Sequence, residues 1–195
     1  MNKILLIALL LSIGHVAPAQ VTGDIGLRVV KAEDARRFDV ELEGLLRDRS
    51  DAVRRRAALA AGRIGDERAV EPLARLLSGD GSADVRAMAA FSLGEIESIK
   101  AADAVLAGLK NASTPDAVRA RLTEAAGKIA AANAGPAKAR NAKAVELGEA
   151  ILDVLEAEEA RQDKQHRETV LLGLMAALRA RPEGTDTVAA LFLTN

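Results

Sequence analysis

The 195-residue chain contains no cysteine, no tryptophan and no tyrosine, and its aromatic content is three phenylalanines. Without cysteine there is no disulfide, no thiolate nucleophile, no cysteine-based zinc site and no cysteine for lipid attachment. Of two histidines, one sits in a leader-like segment, which leaves His166 alone in the rest of the chain. A lone imidazole lacks the second ligand that zinc needs and the orienting partner that nucleophilic catalysis needs, so His166, among Asp163, Lys164, Gln165 and Arg167, reads as a solvated helix end. Charge of one sign is missing too. With 27 basic and 28 acidic residues the net charge is -1, and no global field draws the chain to nucleic acid or anionic lipid. No strand pattern, G-x-S-x-G, phosphate-loop or dinucleotide signature is present.

Residues 1–19 read as a secretory signal. Lys3 supplies the positive start, Ile4 to Ile13 a short apolar run, and Ala17-Pro18-Ala19 an A-x-A cleavage site. The run is shorter than the ~20 apolar residues of a typical membrane span. The expectation is an exported chain, periplasmic or secreted, without a stable span after cleavage, whose residues 20–33 form an N-terminal segment ahead of the fold.

What the chain does have is a repeat. The stretch from Val85-Arg86 to Gly94-Glu95-Ile96 has counterparts in Val53-Arg54 to Gly62-Arg63-Ile64 and in Val118-Arg119 to Gly127-Lys128-Ile129, at offsets of 32 and 33 residues. That period is one helical hairpin and marks a stacked array rather than a single closed core. Composition agrees, being rich in Ala, Leu, Arg and Glu, with apolar residues at three- and four-residue steps. In the Val53 helix, Val53, Ala57, Ala60, Ala61 and Ile64 form one stripe. Each such helix is preceded by another with its own stripe: Leu42, Leu45 and Leu46; Leu73, Leu76 and Leu77; Leu106 and Leu109. Turn residues fall between them, with Pro115 suited to a first helical turn.

Gly62, Gly94 and Gly127 share one column, although a mid-helix Gly costs ~1 kcal/mol against Ala. Close approach of a neighbouring helix is the physical reason to keep three in register. The periodic part is assigned to residues 34–130. Residues 131–195 read as degenerate helical repeats, with helices at about 143–158 and 164–181 and a further segment from Thr185 to Leu193.

These units resemble HEAT repeats, in particular the short subclass also seen in phycobiliprotein lyases. The family pattern carries Pro in the first helix, Asp in the turn and Val-Arg opening the second helix. Here Pro72, Asp80, Val85 and Arg86 match it; Asp48, Val53 and Arg54 match with Val40 in place of Pro; Val118 and Arg119 match with Val105 and Ser113 at the first two positions. The resemblance implies a right-handed, all-α solenoid and a structural ladder in which Asp48 and Asp80 join Arg54 and Arg86, with Arg119 next in line and Ser113 breaking the acidic side. The run "AEDARRFDVELEGLLRD" followed by "VRAMAAFSLGEIES" is also similar to the front part of exported bacterial proteins in which HEAT repeats precede a cyclophilin-type prolyl isomerase domain. That resemblance implies a catalytic barrel beyond Asn195, since no segment here reads as one.

Other chemistry is thin. Gly79-Asp80-Gly81-Ser82-Ala83-Asp84 lacks the alternating oxygen ligands and distal Glu of a calcium loop and reads as a turn. Asn111-Ala112-Ser113 fits a glycosylation sequon, a three-residue match that chance supplies often. Glu156, Glu158 and Glu159 read as a solvated helical face.

What remains is the exposed columns of the second helices: Arg55, Arg56, Leu59 and Arg63; Met88, Phe91 and Glu95; Arg121, Glu124 and Lys128. In the resembling arrays these helices line the concave surface. A Leu59 and Phe91 pair rimmed by Arg and Glu fits an anchor pocket for a peptide or partner helix, because interface hot spots favour aromatics, Met and Arg; the competing reading is that Phe91 packs between repeats. The expectation is a non-catalytic scaffold that needs no cofactor and binds a protein or peptide rather than nucleic acid. A prolyl isomerase front end and, more remotely, a bilin lyase are the alternatives.

Overall fold

A computed structural model of the chain describes residues 23–135 and 141–193, and the leader-like residues 1–19 lie outside them. The described residues form helices joined by turns: α1 (Gly23–Asp34), α2 (Val40–Leu45), α3 (Asp51–Ile64), α4 (Val70–Gly79), α5 (Ala83–Ile96), α6 (Ala102–Lys110), α7 (Asp116–Ala132), α8 (Ala142–Glu159), α9 (Arg167–Ala180) and α10 (Thr185–Leu191). The fold is an all-helical solenoid, and no strand occurs among the described residues. No described helix is long and apolar enough to cross a membrane.

The punctuation that the sequence repeats is the punctuation of the fold. Asp39 caps α2 by accepting from the Leu42 N–H at 3.0 Å. Helix α3 ends where Gly65 turns left-handed at φ 75°, a conformation that glycine adopts without steric penalty. One turn of 3₁₀ helix, Glu67–Ala69, leads into α4 and another, Ile99–Ala101, leads into α6; Asp66 and Ser98 cap them by accepting from Arg68 N and Lys100 N. Pro115 stands at the cap of α7, one place before the first helical residue. There its missing N–H removes no helical bond.

Pairs α2/α3, α4/α5, α6/α7 and α8/α9 are successive hairpins, and they stack in two layers. The second helices pack in series, α3 on α5, α5 on α7 and α7 on α9. Leucines of both helices and alanines of the second fill the space between. Leu42, Leu73, Leu93, Leu122, Leu147 and Leu155 are almost completely buried, each worth about 1.5–3 kcal/mol relative to exposure. The fourth hairpin, irregular in sequence, therefore stacks as regularly as the others.

The glycine column explains how the second helices come so close. A Cβ on Gly62 would stand 2.8 Å from Ser92 Cα, one on Gly94 2.8 Å from Ala125 Cα, and one on Gly127 2.6 Å from Ala176 Cα. Each glycine meets the residue two places before the next glycine position. On α9 that position is Leu178, which is exposed.

Helix α1 was not foreseen. The segment 20–33 carried no element in the sequence reading, yet residues 23–34 form a helix that packs against α3 and extends the second-helix layer by one member. Val29 and Ala32 are its buried residues.

Candidate partner-binding face

The solvent side of the second-helix layer is built from three neighbouring helices. Because α3, α5 and α7 stack in register, side chains one repeat apart lie beside each other. Arg55, Leu59, Asp84, Met88, Phe91 and Arg121 line one open depression of about 420 Å³. Leu59, Met88 and Phe91 are half-buried in it, whereas Arg55 and Asp84 are exposed at the rim. Neither rim residue has an ion-pair partner among the described residues.

Phe91 is covered from one side by cations. Lys128 Nζ lies 4.7 Å and the Arg121 guanidinium 6.0 Å from the ring centroid, inside the range where the ring face attracts a cation. Those cations are fixed by carboxylates. Lys128 donates to Glu95 and Glu124, both at 2.6 Å, and Arg121 donates to Glu124 at 2.9 Å and Glu168 at 2.7 Å. Burial opposes ionisation of Glu124, yet the hydrogen bonds from Lys128 and Arg121 hold its carboxyl below the ordinary glutamate range. Phe91 thus serves both readings, touching the adjoining repeat through these cations while keeping one side in the depression.

Arg56 and Arg63 are drawn away from this centre. Arg56 donates from Nη1 and Nη2 to the two carboxylate oxygens of Glu33 on α1, at 3.0 and 2.5 Å, and Arg63 reaches the same carboxylate at 3.4 Å. The hydrogen bond from Arg56 holds the Glu33 carboxyl below its usual value against the opposing effect of burial. Arg56 is therefore occupied by the fold. Glu33, Asp84 and Glu168 belong to this face and were missed; Glu33 was hidden because α1 itself was not recognised.

Among the described residues the ladder has one rung between repeats. Arg54 donates from Nε to Asp80 Oδ2 at 2.6 Å and from Nη2 to Asp80 Oδ1 at 2.9 Å, while its Nη1 donates to the carbonyls of Asp48 and Arg49. Asp48 instead accepts from Ser50 N through Oδ1. Arg86 donates to the Asp80 carbonyl, and Arg119 to the carbonyls of Leu109, Asn111 and Thr114, all within their own hairpins. The same turn geometry locates the acidic position of the third hairpin. Asp48 accepts from Ser50 N, Asp80 from Ser82 N and Asn111 from Ser113 N, so Asn111 holds that place and Ser113 does not.

Between the third and fourth hairpins a different cluster takes over. Arg161 donates to both carboxylate oxygens of Asp116 and to Glu158, and Glu158 also accepts from His166 N at 2.7 Å. Glu158 is buried rather than solvated, because it closes the α8–α9 turn. His166 caps α9, its Nδ1 lying 2.8 Å from Thr169 Oγ1 and 3.3 Å from Thr169 N.

The turn at residues 79–84 is not a cation cradle, since the Asp80 carboxylate is already taken by Arg54 and Ser82 N. No group of three or more His, Cys, Asp or Glu placed to hold a metal ion occurs among the described residues. Compared with known families, residues 39–135 match HEAT repeats. No curated protein sequence gives a significant match.

Proposed function

With residues 39–135 taken as HEAT repeats, a class of array that generally serves as a protein-interaction scaffold, we propose that the chain binds a protein or peptide partner through its second-helix layer and performs no chemistry of its own. The carrying observation is the Leu59, Met88 and Phe91 depression. It presents apolar surface between fixed ion pairs, so an aliphatic anchor can enter without disturbing them. Arg55 and Asp84, free of partners among the described residues, stand at its rim to select charge on either side of the anchor.

The proposal includes an exported location, periplasmic or secreted, which rests on residues 1–19 alone. Mass measurement of the protein recovered from a bacterial host tests it, with loss of the first 19 residues as the expected result. Of the finer resemblances, neither the phycobiliprotein-lyase subclass nor the cyclophilin link gains support from any residue of the face.

Affinity capture with the wild-type chain, repeated with Phe91→Ala and Arg55→Glu, tests the binding face. Both variants should lose the captured partner while keeping the helical circular dichroism spectrum, because Phe91 is half-exposed and Arg55 is held by no ion pair. Equal capture by all three proteins rejects this face.

A further inference from the structure

We propose that the hollow between α4 and α6 is a binding site for a carboxylate carried on a short aliphatic body, with the Arg86 guanidinium as its receptor. It lies apart from the partner-binding face and is independent of that reading.

Arg54 offers Nε and Nη2 as a planar fork, and both bonds go to the carboxylate of the following hairpin, Asp80. Arg86 is the same residue one repeat later, and its Nη1 repeats the bond to the turn carbonyl, here Asp80 O at 2.6 Å. The residue that should receive its fork is Asn111, an amide with its Oδ1 committed to Ser113 N. Nε and Nη2 of Arg86 consequently have no partner among the described residues. A guanidinium matches a carboxylate in two parallel bonds and cannot be matched that way by an amide.

Space is provided at the same place. Helix α6 presents small residues there: at an offset of 32, Ala104, Ala107 and Gly108 stand where α4 has Pro72, Arg75 and Leu76, so Ala104 holds the place of Pro72 and Val105 that of the buried Leu73. A hollow of about 370 Å³ lies there, with Arg86 and Asn111 on its polar wall and Ala74, Leu77, Val118 and Leu122 on its apolar wall; its counterpart between α2 and α4 is about 380 Å³, but there Asp80 already fills the Arg54 fork. One cation at one end favours a monoanion, and the apolar wall favours an aliphatic stem. Asp80 lies beside Arg86, so a dianion would meet like charge there. The free carboxy-terminus of a polypeptide and a free short-chain fatty acid share this chemistry.

Thermal unfolding of the full chain with pentanoate, acetyl-Gly-Leu as the free acid, acetyl-Gly-Leu amide and inorganic phosphate provides the test, alongside Asn111→Asp and Arg86→Gln. In Asn111→Asp the introduced carboxylate fills the fork from within. That variant should melt higher than wild type without ligand and respond to none of the probes. At least one of the two carboxylates should raise the wild-type midpoint by about 3–5 °C at ten times its Kd, and Arg86→Gln should not respond. The carboxylate that acts at the lower concentration distinguishes a chain terminus from a free acid. The proposal is overturned if neither carboxylate acts, if the amide or phosphate acts as well as the acids, or if Asn111→Asp responds as wild type does.

Discussion

Arg54 of one hairpin grips Asp80 of the next through two parallel hydrogen bonds at 2.6 and 2.9 Å, with only 17% and 4% of the respective side chains exposed. This bond joins the two hairpins beside their apolar contact, and it is charge-assisted and shielded. Asp80→Asn should therefore destabilise the chain by about 2–3 kcal/mol at pH 7, measured by urea unfolding, since it strands a half-buried cation. The pH dependence has a definite sign. The hydrogen bond from Arg54 lowers the Asp80 pKa in the folded chain. Its stabilisation is complete above the unfolded value near ~3.9 and is lost as pH falls through the depressed folded value. The gap between wild type and Asp80→Asn should narrow steadily below pH 4.

Glu33 fastens α1 to α3 through Arg56 and Arg63. Glu33→Gln keeps the size and removes the charge, at a cost of about 1 kcal/mol for a partly buried pair. Hydrogen exchange should then quicken in α1 and stay unchanged in α5 and α7, because the remaining stack does not depend on that bond. Uniform quickening across all helices would assign Glu33 a different role.

Ser92 Oγ is buried with no hydrogen-bond partner among the described residues. It faces Gly62 in the position that Ala125 and Ala176 occupy against Gly94 and Gly127. Ser92→Ala removes an unsatisfied hydroxyl and restores the column, so it should raise stability by about 1 kcal/mol in urea unfolding. A loss of similar size would mean that the hydroxyl has a partner.

The helices between residues 40 and 130 are legible because three signals coincide at one period: the leucine stripes, the turn residues and the glycine column. Val53, Ala57, Ala60, Ala61 and Ile64 are all buried as their spacing implies. Helix α1 was illegible because a single helix has no repeat to align with and its buried side is only Val29 and Ala32. The ten residues proposed for the face do share the second-helix layer, but periodicity states only which side a residue points to. It cannot state that Arg56 is spent on Glu33 from a segment outside the repeat, nor that Lys128 and Arg121 converge on Phe91. Asn111 escapes the sequence pattern by two residues because it stands seven places before Val118, whereas Asp48 and Asp80 stand five places before Val53 and Val85, and a column read at fixed offset slides past it.

The stacking of second helices through the glycine column is tested most directly by urea unfolding of Gly94→Ala beside Gly44→Ala. Ala at 44 meets nothing within 4 Å and should add about 0.5–1 kcal/mol through helix propensity. Ala at 94 carries the same propensity gain, yet its Cβ meets the Ala125 backbone at 2.8 Å and must push α7 away. A net loss of about 1–2 kcal/mol is expected. Gly94→Ala as stable as wild type, or stabilised like Gly44→Ala, would contradict the close packing of α5 on α7 and the array built on it.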